Sequence, residues 1–150
     1  MRGVTRKLAA LVVVSGVLAF VVASWASPAE RWTKDNVNLL ARAVMSEAGG
    51  EPYVAQVAVA AVILKRAGHE GFPDDVAGVV FQPGAFESVS DGRIWRGNPS
   101  EEAWKAARDA LNGWDPTNGA LYYFDPARTT NPFMWARPAV ARFGRFIFAR

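Results

Sequence analysis

From residue 53 to residue 64 the chain is apolar except for Gln56, and this stretch restricts the fold more than any other in the body of the sequence. Pro52 favours a first helical position, twelve residues is a helix length, and Lys65, Arg66 and Gly68 mark an end. A helix that is apolar on every side has no face to offer water, so it belongs in the middle of a domain with other elements around it. The neighbouring sequence supplies them. Thr33 is placed to cap a helix in which Val37, Leu40, Ala41, Val44, Met45 and Ala48 recur at helical spacing until Gly49-Gly50 stops it. A short helix follows Asp74 and Asp75 and ends before the turn Gln82-Pro83-Gly84. Asn98-Pro99-Ser100-Glu101 reads as a capped start for a helix over 102–112, with Gly113 as its stop. After a turn at 115–119, the aromatic run 121–124 and the closing segment 140–148 read as short strands or extended loops. The expectation is one α+β domain, mainly α, with short C-terminal strands and no repeat or linker.

The residue inventory narrows the chemistry. Of 150 residues none is cysteine and one, His69, is histidine, which excludes thiolate zinc sites, histidine metal clusters and cysteine nucleophiles. We expect no metal and no cofactor, and any catalysis rests on carboxylates or hydroxyls. Nucleic acid is also not an expected partner. Setting aside Arg2, Arg6 and Lys7 from the 17 basic residues leaves 14, against 14 acidic ones, so the body of the chain lacks the basic excess that such binding requires.

Those three N-terminal cations precede residues 8–24, which carry no charge, and basic followed by apolar residues is the order of an export signal. Ser24-Trp25-Ala26 puts small residues where a signal peptidase reads, while 17 apolar or small residues come close to the length of a membrane span. Residues 1–26 are therefore a signal peptide or a membrane anchor, and residues 27–150 are the functional domain. Either way the domain is exported and acts outside the cytoplasm, with membrane association through the N-terminal segment if that segment is retained.

Within the first helix Glu47 falls beside Leu40 and Val44, at the edge of the apolar stripe. A carboxyl group there is partly desolvated, which favours the proton-carrying form that a general acid needs. The end of a helix is electrostatically poor for a carboxylate, and the two glycines that follow give open backbone for a large ligand to approach. Glu51, one turn later, shares the site as an accessory acid, caps the second helix, or makes a buried structural hydrogen bond. Glu87 and Asp91 lie in a polar loop suited to surface exposure, as does His69.

The stretch Ser46-Glu47-Ala48-Gly49-Gly50-Glu51-Pro52-Tyr53 with residues 56–64 resembles the start of the catalytic domain of spore cortex-lytic enzymes, a family of bacterial cell-wall hydrolases. Phe81-Gln82-Pro83-Gly84-Ala85-Phe86 with Asp91-Gly92, then residues 107–117, and Ala120-Leu121-Tyr122-Tyr123-Phe124 resemble the same domain in the same order. The resemblance implies a small lysozyme-like, transglycosylase-like domain that cleaves the glycan strands of peptidoglycan in spore cortex or cell wall, with Glu47 as the catalytic acid. It points to lytic transglycosylase chemistry, in which one acid protonates the glycosidic oxygen and then acts as base. A true hydrolase of the muramidase type and a non-catalytic wall-binding module are the alternatives. Three positions depart from the family pattern: Lys65 where Asn is usual, Asp125 for Asn, and Phe146 for His. A glycan cleft also needs aromatic platforms and polar edges. Gln82, Phe86, Tyr123 and Asn131 are the substrate-binding candidates, with Tyr122 and Trp135 nearby in the loop-rich segments.

If the export segment is cleaved, protein isolated from its own cell begins at or close to Ser27, as N-terminal sequencing or intact mass will show. An intact 1–26 segment that sediments with membranes makes it an anchor.

Overall fold

The computed structural model describes residues 33–150. The expectations for the export segment, the site at Ser24-Trp25-Ala26 and the first 32 residues generally lie outside that range. Thr33 caps α1 (Lys34–Ala48) by accepting a hydrogen bond from the Asn36 amide at 3.2 Å. α2 (Tyr53–Arg66) follows across Gly49 and Gly50, the latter at a φ of 88°. Asp75 caps the short α3 (Val76–Val80) through the Gly78 amide at 2.7 Å. Then come α4 (Glu87–Ser90), a 3-10 turn (Arg93–Trp95), and α5 (Glu101–Leu111), capped by Ser100 from the Ala103 amide at 3.1 Å. β1 (Tyr122–Phe124), α6 (Pro132–Trp135), β2 (Ala139–Phe143) and β3 (Phe146–Ala149) complete the chain. The fold is α+β and mainly α.

α2 is enclosed as its sequence demands: Ala55 and residues 57–63 are all buried. α1 and α5 pack on it and on each other. The seams are lined with small side chains, among them Ala41 and Ala48 of α1, Ala58 and Ala61 of α2, and Ala103, Ala107 and Ala110 of α5. Short side chains let helix axes approach closely, and the trio forms a tight core. The strands form one antiparallel sheet in the order β1-β3-β2, with Tyr123 opposite Phe148 and Arg142 opposite Ile147. Phe146 and Phe148 turn inward and close the core.

Several expectations change at the boundaries. α2 runs two residues further than the apolar run, through Lys65 and Arg66, and the Arg66 side chain is held by the Leu121 carbonyl at 2.7 Å. Met45 is 41% exposed: one residue past Val44 it has rotated about 100° off the stripe. The closing segment is a hairpin, so strands prevail over extended loops there, with an irregularity between Ala139 and Ala141 that turns Val140 outward. The one-turn helices α4 and α6 and the 3-10 turn have no periodic signature, and the sequence does not announce them.

Phe148 is fully buried in the central strand, with its ring 5.9 Å from Tyr123, 5.8 Å from Phe143 and 6.3 Å from Phe146. Phe148→Ala is expected to cost about 3–5 kcal/mol in urea unfolding, the range for deleting a buried ring.

Candidate active site

The last turn of α1 delivers Glu47 to the wall of a cleft of about 580 Å³ formed by α4, β1, α6 and the β2–β3 turn. Both of its carboxyl oxygens are held. The buried Ser88 hydroxyl, on α4, donates to Oε1 at 2.6 Å, and the Tyr123 hydroxyl, on β1, donates to Oε2 at 3.2 Å. Burial, and next the charge of Glu47, pushes the Tyr123 phenol well above its ordinary pKa, so it keeps its proton and remains a donor. The Arg145 guanidinium fixes the backbone beneath, its Nη2 donating to the Glu47 carbonyl at 3.0 Å.

Glu51 does not cap α2. Pro52 occupies the cap position without a side-chain bond, and Glu51 instead turns to the β2–β3 hairpin. Its Oε2 accepts from the Arg145 amide at 3.0 Å and its Oε1 from Arg145 Nη1 at 2.9 Å. Of the alternatives, the structure contains the structural hydrogen bond, although its partner Arg145 is half-exposed and the bond is not buried. On the main chain, the Glu51 carbonyl accepts from Gln56 Nε2 at 3.0 Å, which gives the one polar side chain of the apolar run its task. Gly144 precedes Arg145 at a φ of 55°, and a Cβ there would collide with the Glu51 carboxylate.

Gln82, Phe86, Tyr123 and Asn131 all border the cleft, but they contribute differently. Phe86 is 4% exposed and is a wall residue, not a platform: it occupies the position before α4, where the chain turns inward, and its ring lies 5.8 Å from the Arg66 guanidinium. Asn131 caps α6 by accepting from the Phe133 amide at 3.0 Å, so its Nδ2 remains for a ligand. Tyr123 packs its ring against Phe146 and reaches the cleft with its hydroxyl. Tyr122 and Phe133, edge to face at 5.5 Å, supply aromatic lining. Trp135 is outside the lining and packs on Phe124. His69 is exposed in its turn, with Nδ1 2.8 Å from the Glu70 carbonyl. Asp91 is engaged by Arg93 at 2.6 Å. Among the described residues no group of three or more His, Asp or Glu side chains is placed to hold a metal.

The remaining carboxylates of the cleft are matched with cations. Glu87 lies 3.4 Å from Arg128 and 3.8 Å from Arg93, and Asp125 lies 3.6 Å from Arg145. The Glu47 carboxyl group is held by hydroxyls alone. Sequence reasoning missed Ser88, Arg145 and Arg66; each reaches the site from far along the chain, and only their proximity in space reveals them.

The sequence model of a family described as Cell Wall Hydrolase matches residues 50–149, a range that includes Glu51 and opens three residues after Glu47. The spore cortex-lytic enzyme of Bacillus subtilis is 51% identical over 117 residues, covering 78% of this chain and 38% of that protein. The chain spans less than half the length of the curated spore cortex-lytic enzymes it matches. Two solved structures superpose with a TM-score of 0.75. The catalytic domain of the Bacillus cereus SleB protein is 49% identical, covering 79% of this chain and 92% of that one. The catalytic domain of the germination-specific lytic transglycosylase SleB from Bacillus anthracis is 48% identical, covering 79% and 97%. The mainly α, lysozyme-like architecture is common to all three.

Since Glu51 holds the hairpin, Glu51→Gln is expected to lower stability by about 0.5–1.5 kcal/mol, the net range of a hydrogen bond, because its arginine partner is half-exposed. A thermal melt alongside the unsubstituted chain measures it.

Proposed function

Because the chain belongs to the Cell Wall Hydrolase family, we propose that it is an exported enzyme that cleaves the glycan strand of peptidoglycan, with Glu47 as general acid and then base. One observation carries this reading: in a cleft whose other carboxylates face arginines, Glu47 is gripped at both oxygens by neutral hydroxyls. A salt bridge would hold a carboxylate permanently ionised. Hydroxyls can donate to the anion, and by rotating about the C–O bond they can accept from the acid, so Ser88 and Tyr123 serve Glu47 in both of its protonation states.

The chemistry follows in two steps. Protonated Glu47 passes its proton to the glycosidic oxygen as the C–O bond breaks, and the resulting carboxylate is stabilised by the two hydroxyl donors. As base, that carboxylate then takes the proton of the muramic 6-hydroxyl as its oxygen closes on the anomeric carbon, leaving an anhydro end. The substrate's N-acetyl group assists at the cationic centre, so a second protein carboxylate is not required. That Glu87 and Asp125 are already engaged by arginines favours this route over hydrolysis, where a second free carboxylate would activate water or act as nucleophile. The similarity to a lytic transglycosylase supports the same preference. A true hydrolase would leave reducing ends, and a wall-binding module would leave no product. The uncharged segment over 8–24 behind three cations supports export, and the spore cortex or cell wall is the place of action.

Glu47→Gln keeps shape and hydrogen bonding but has no proton to give, so turnover of purified peptidoglycan is expected to drop by about 10²–10⁴ with binding retained. Mass spectrometry of the products is expected to show anhydro ends from the unsubstituted protein. A Glu47→Gln protein that still cleaves at the parental rate, beside a folded but dead Glu51→Gln, moves the acid to Glu51. Reducing ends would establish hydrolysis.

A further inference from the structure

Arg66 ends α2 at the cleft with only 8% of its surface exposed. Its Nε donates to the Leu121 carbonyl at 2.7 Å, and the guanidinium lies against three rings, 5.3 Å from Phe72, 5.7 Å from Tyr122 and 5.8 Å from Phe86. Neither Nη has an acceptor among the described residues, neither is sealed away from solvent without one, and the residue lines the cleft.

The charges lining the cleft otherwise cancel. Arg145 is matched with Glu51 and Asp125, and Arg128 with Glu87, which leaves Glu47 and Arg66 as the two lining charges without an opposite charge of their own. Removing a guanidinium from water without a counter-ion is unfavourable. Three ring faces hold its plane in place, and a planar fork with two free amino groups is the geometry that grips a carboxylate through paired bonds.

We propose that Arg66 binds a substrate carboxylate on the muramic-acid side of the strand, fixing the register in which a glycosidic bond meets Glu47. This rests on the glycan-strand reading above. Muramic acid offers such a group in two forms: its own lactyl acid where no peptide is attached, and the acids of the stem peptide where one is.

The test is a titration by calorimetry of the full chain carrying Glu47→Gln, which prevents turnover. The probes are the peptide-free disaccharide of N-acetylglucosamine and N-acetylmuramic acid, its lactyl methyl ester, and the same disaccharide bearing a stem tripeptide. The acid is expected to bind at least about tenfold more tightly than the ester. Adding Arg66→Gln is expected to bring the acid down to the affinity of the ester, and Arg66→Lys to restore part of the difference, since it keeps the charge without the fork. A peptide-bearing probe that binds like the acid assigns the anchor to stem carboxylates, and one that binds like the ester assigns it to the lactyl acid. Equal binding of acid and ester, no binding of any probe, or a preference that survives Arg66→Gln overturns the proposal. The acid–ester comparison does not need the Arg66 variants, so equal binding overturns the proposal even if Arg66→Gln fails to fold; Arg66→Lys, the milder change, then carries the assignment, and an acid–ester difference undiminished in it overturns the proposal. Cleavage of purified peptidoglycan by the unsubstituted chain is read separately. Cleavage without acid preference sinks the Arg66 site alone, and acid preference without cleavage sinks the enzyme reading alone.

Discussion

A helix with no face for water dictates the arrangement of everything around it. Each buried valine or isoleucine of α2 contributes roughly 1.5–3 kcal/mol when removed from water, and this is realised only if α1, α5 and the sheet cover it together. Small residues along α1 and α5 meet that demand by allowing close approach. The buried polar side chains of α2 stand near its two ends. Gln56 binds the loop that leaves α1, and Arg66 reaches the strand segment beyond α5. The same packing that stabilises the domain therefore fixes the two edges of the cleft, with Glu47 where α1 leaves the core.

How much of this was legible depends on how far apart the interacting residues lie in sequence. Thr33, Asp75 and Ser100 each bond an amide three residues away, so the caps, and with them the helix starts, can be read locally. The position of Glu47 beside the apolar stripe is equally local. Its partners are not: Ser88 and Tyr123 arrive from 41 and 76 residues downstream, and the Arg145 that supports its backbone from 98. Glu51 illustrates the limit. At the head of a helix its sequence context suits a cap, yet Arg145 in the β2–β3 turn offers it two bonds, one from its backbone amide and one from its guanidinium, and wins. Phe86 fails for a related reason, because an aromatic residue in a loop reads as a platform until the next turn of chain directs it inward.

Charge is distributed over the site in two ways. Arginine–carboxylate pairs tie the hairpin to the connection between α1 and α2 and to the loop after β1, and they connect α4 to the segment between β1 and α6. These contacts organise the frame. At the group proposed to exchange a proton, by contrast, the protein uses neutral donors, which hold position without imposing an ionisation state. The frame and the reactive group thus depend on different kinds of bond, and salt that screens surface charge acts first on the more exposed frame pairs, such as Arg128 with Glu87, and least on the hydroxyl contacts of Glu47.

Gly144 offers substrate nothing to bind and lines no part of the cleft. Yet its backbone occupies the left-handed region, and the space a side chain would need is filled by the Glu51 carboxylate and, at 3.1 Å from an added Cβ, by the Pro52 ring. Any replacement must therefore displace the Arg145 clamp and, through it, the carbonyl of Glu47. In a survey of inactivating mutations this position would score with the proposed proton donor, even though it carries no functional group. A residue found intolerant of change by such genetics can thus be one whose whole contribution is the absence of a side chain.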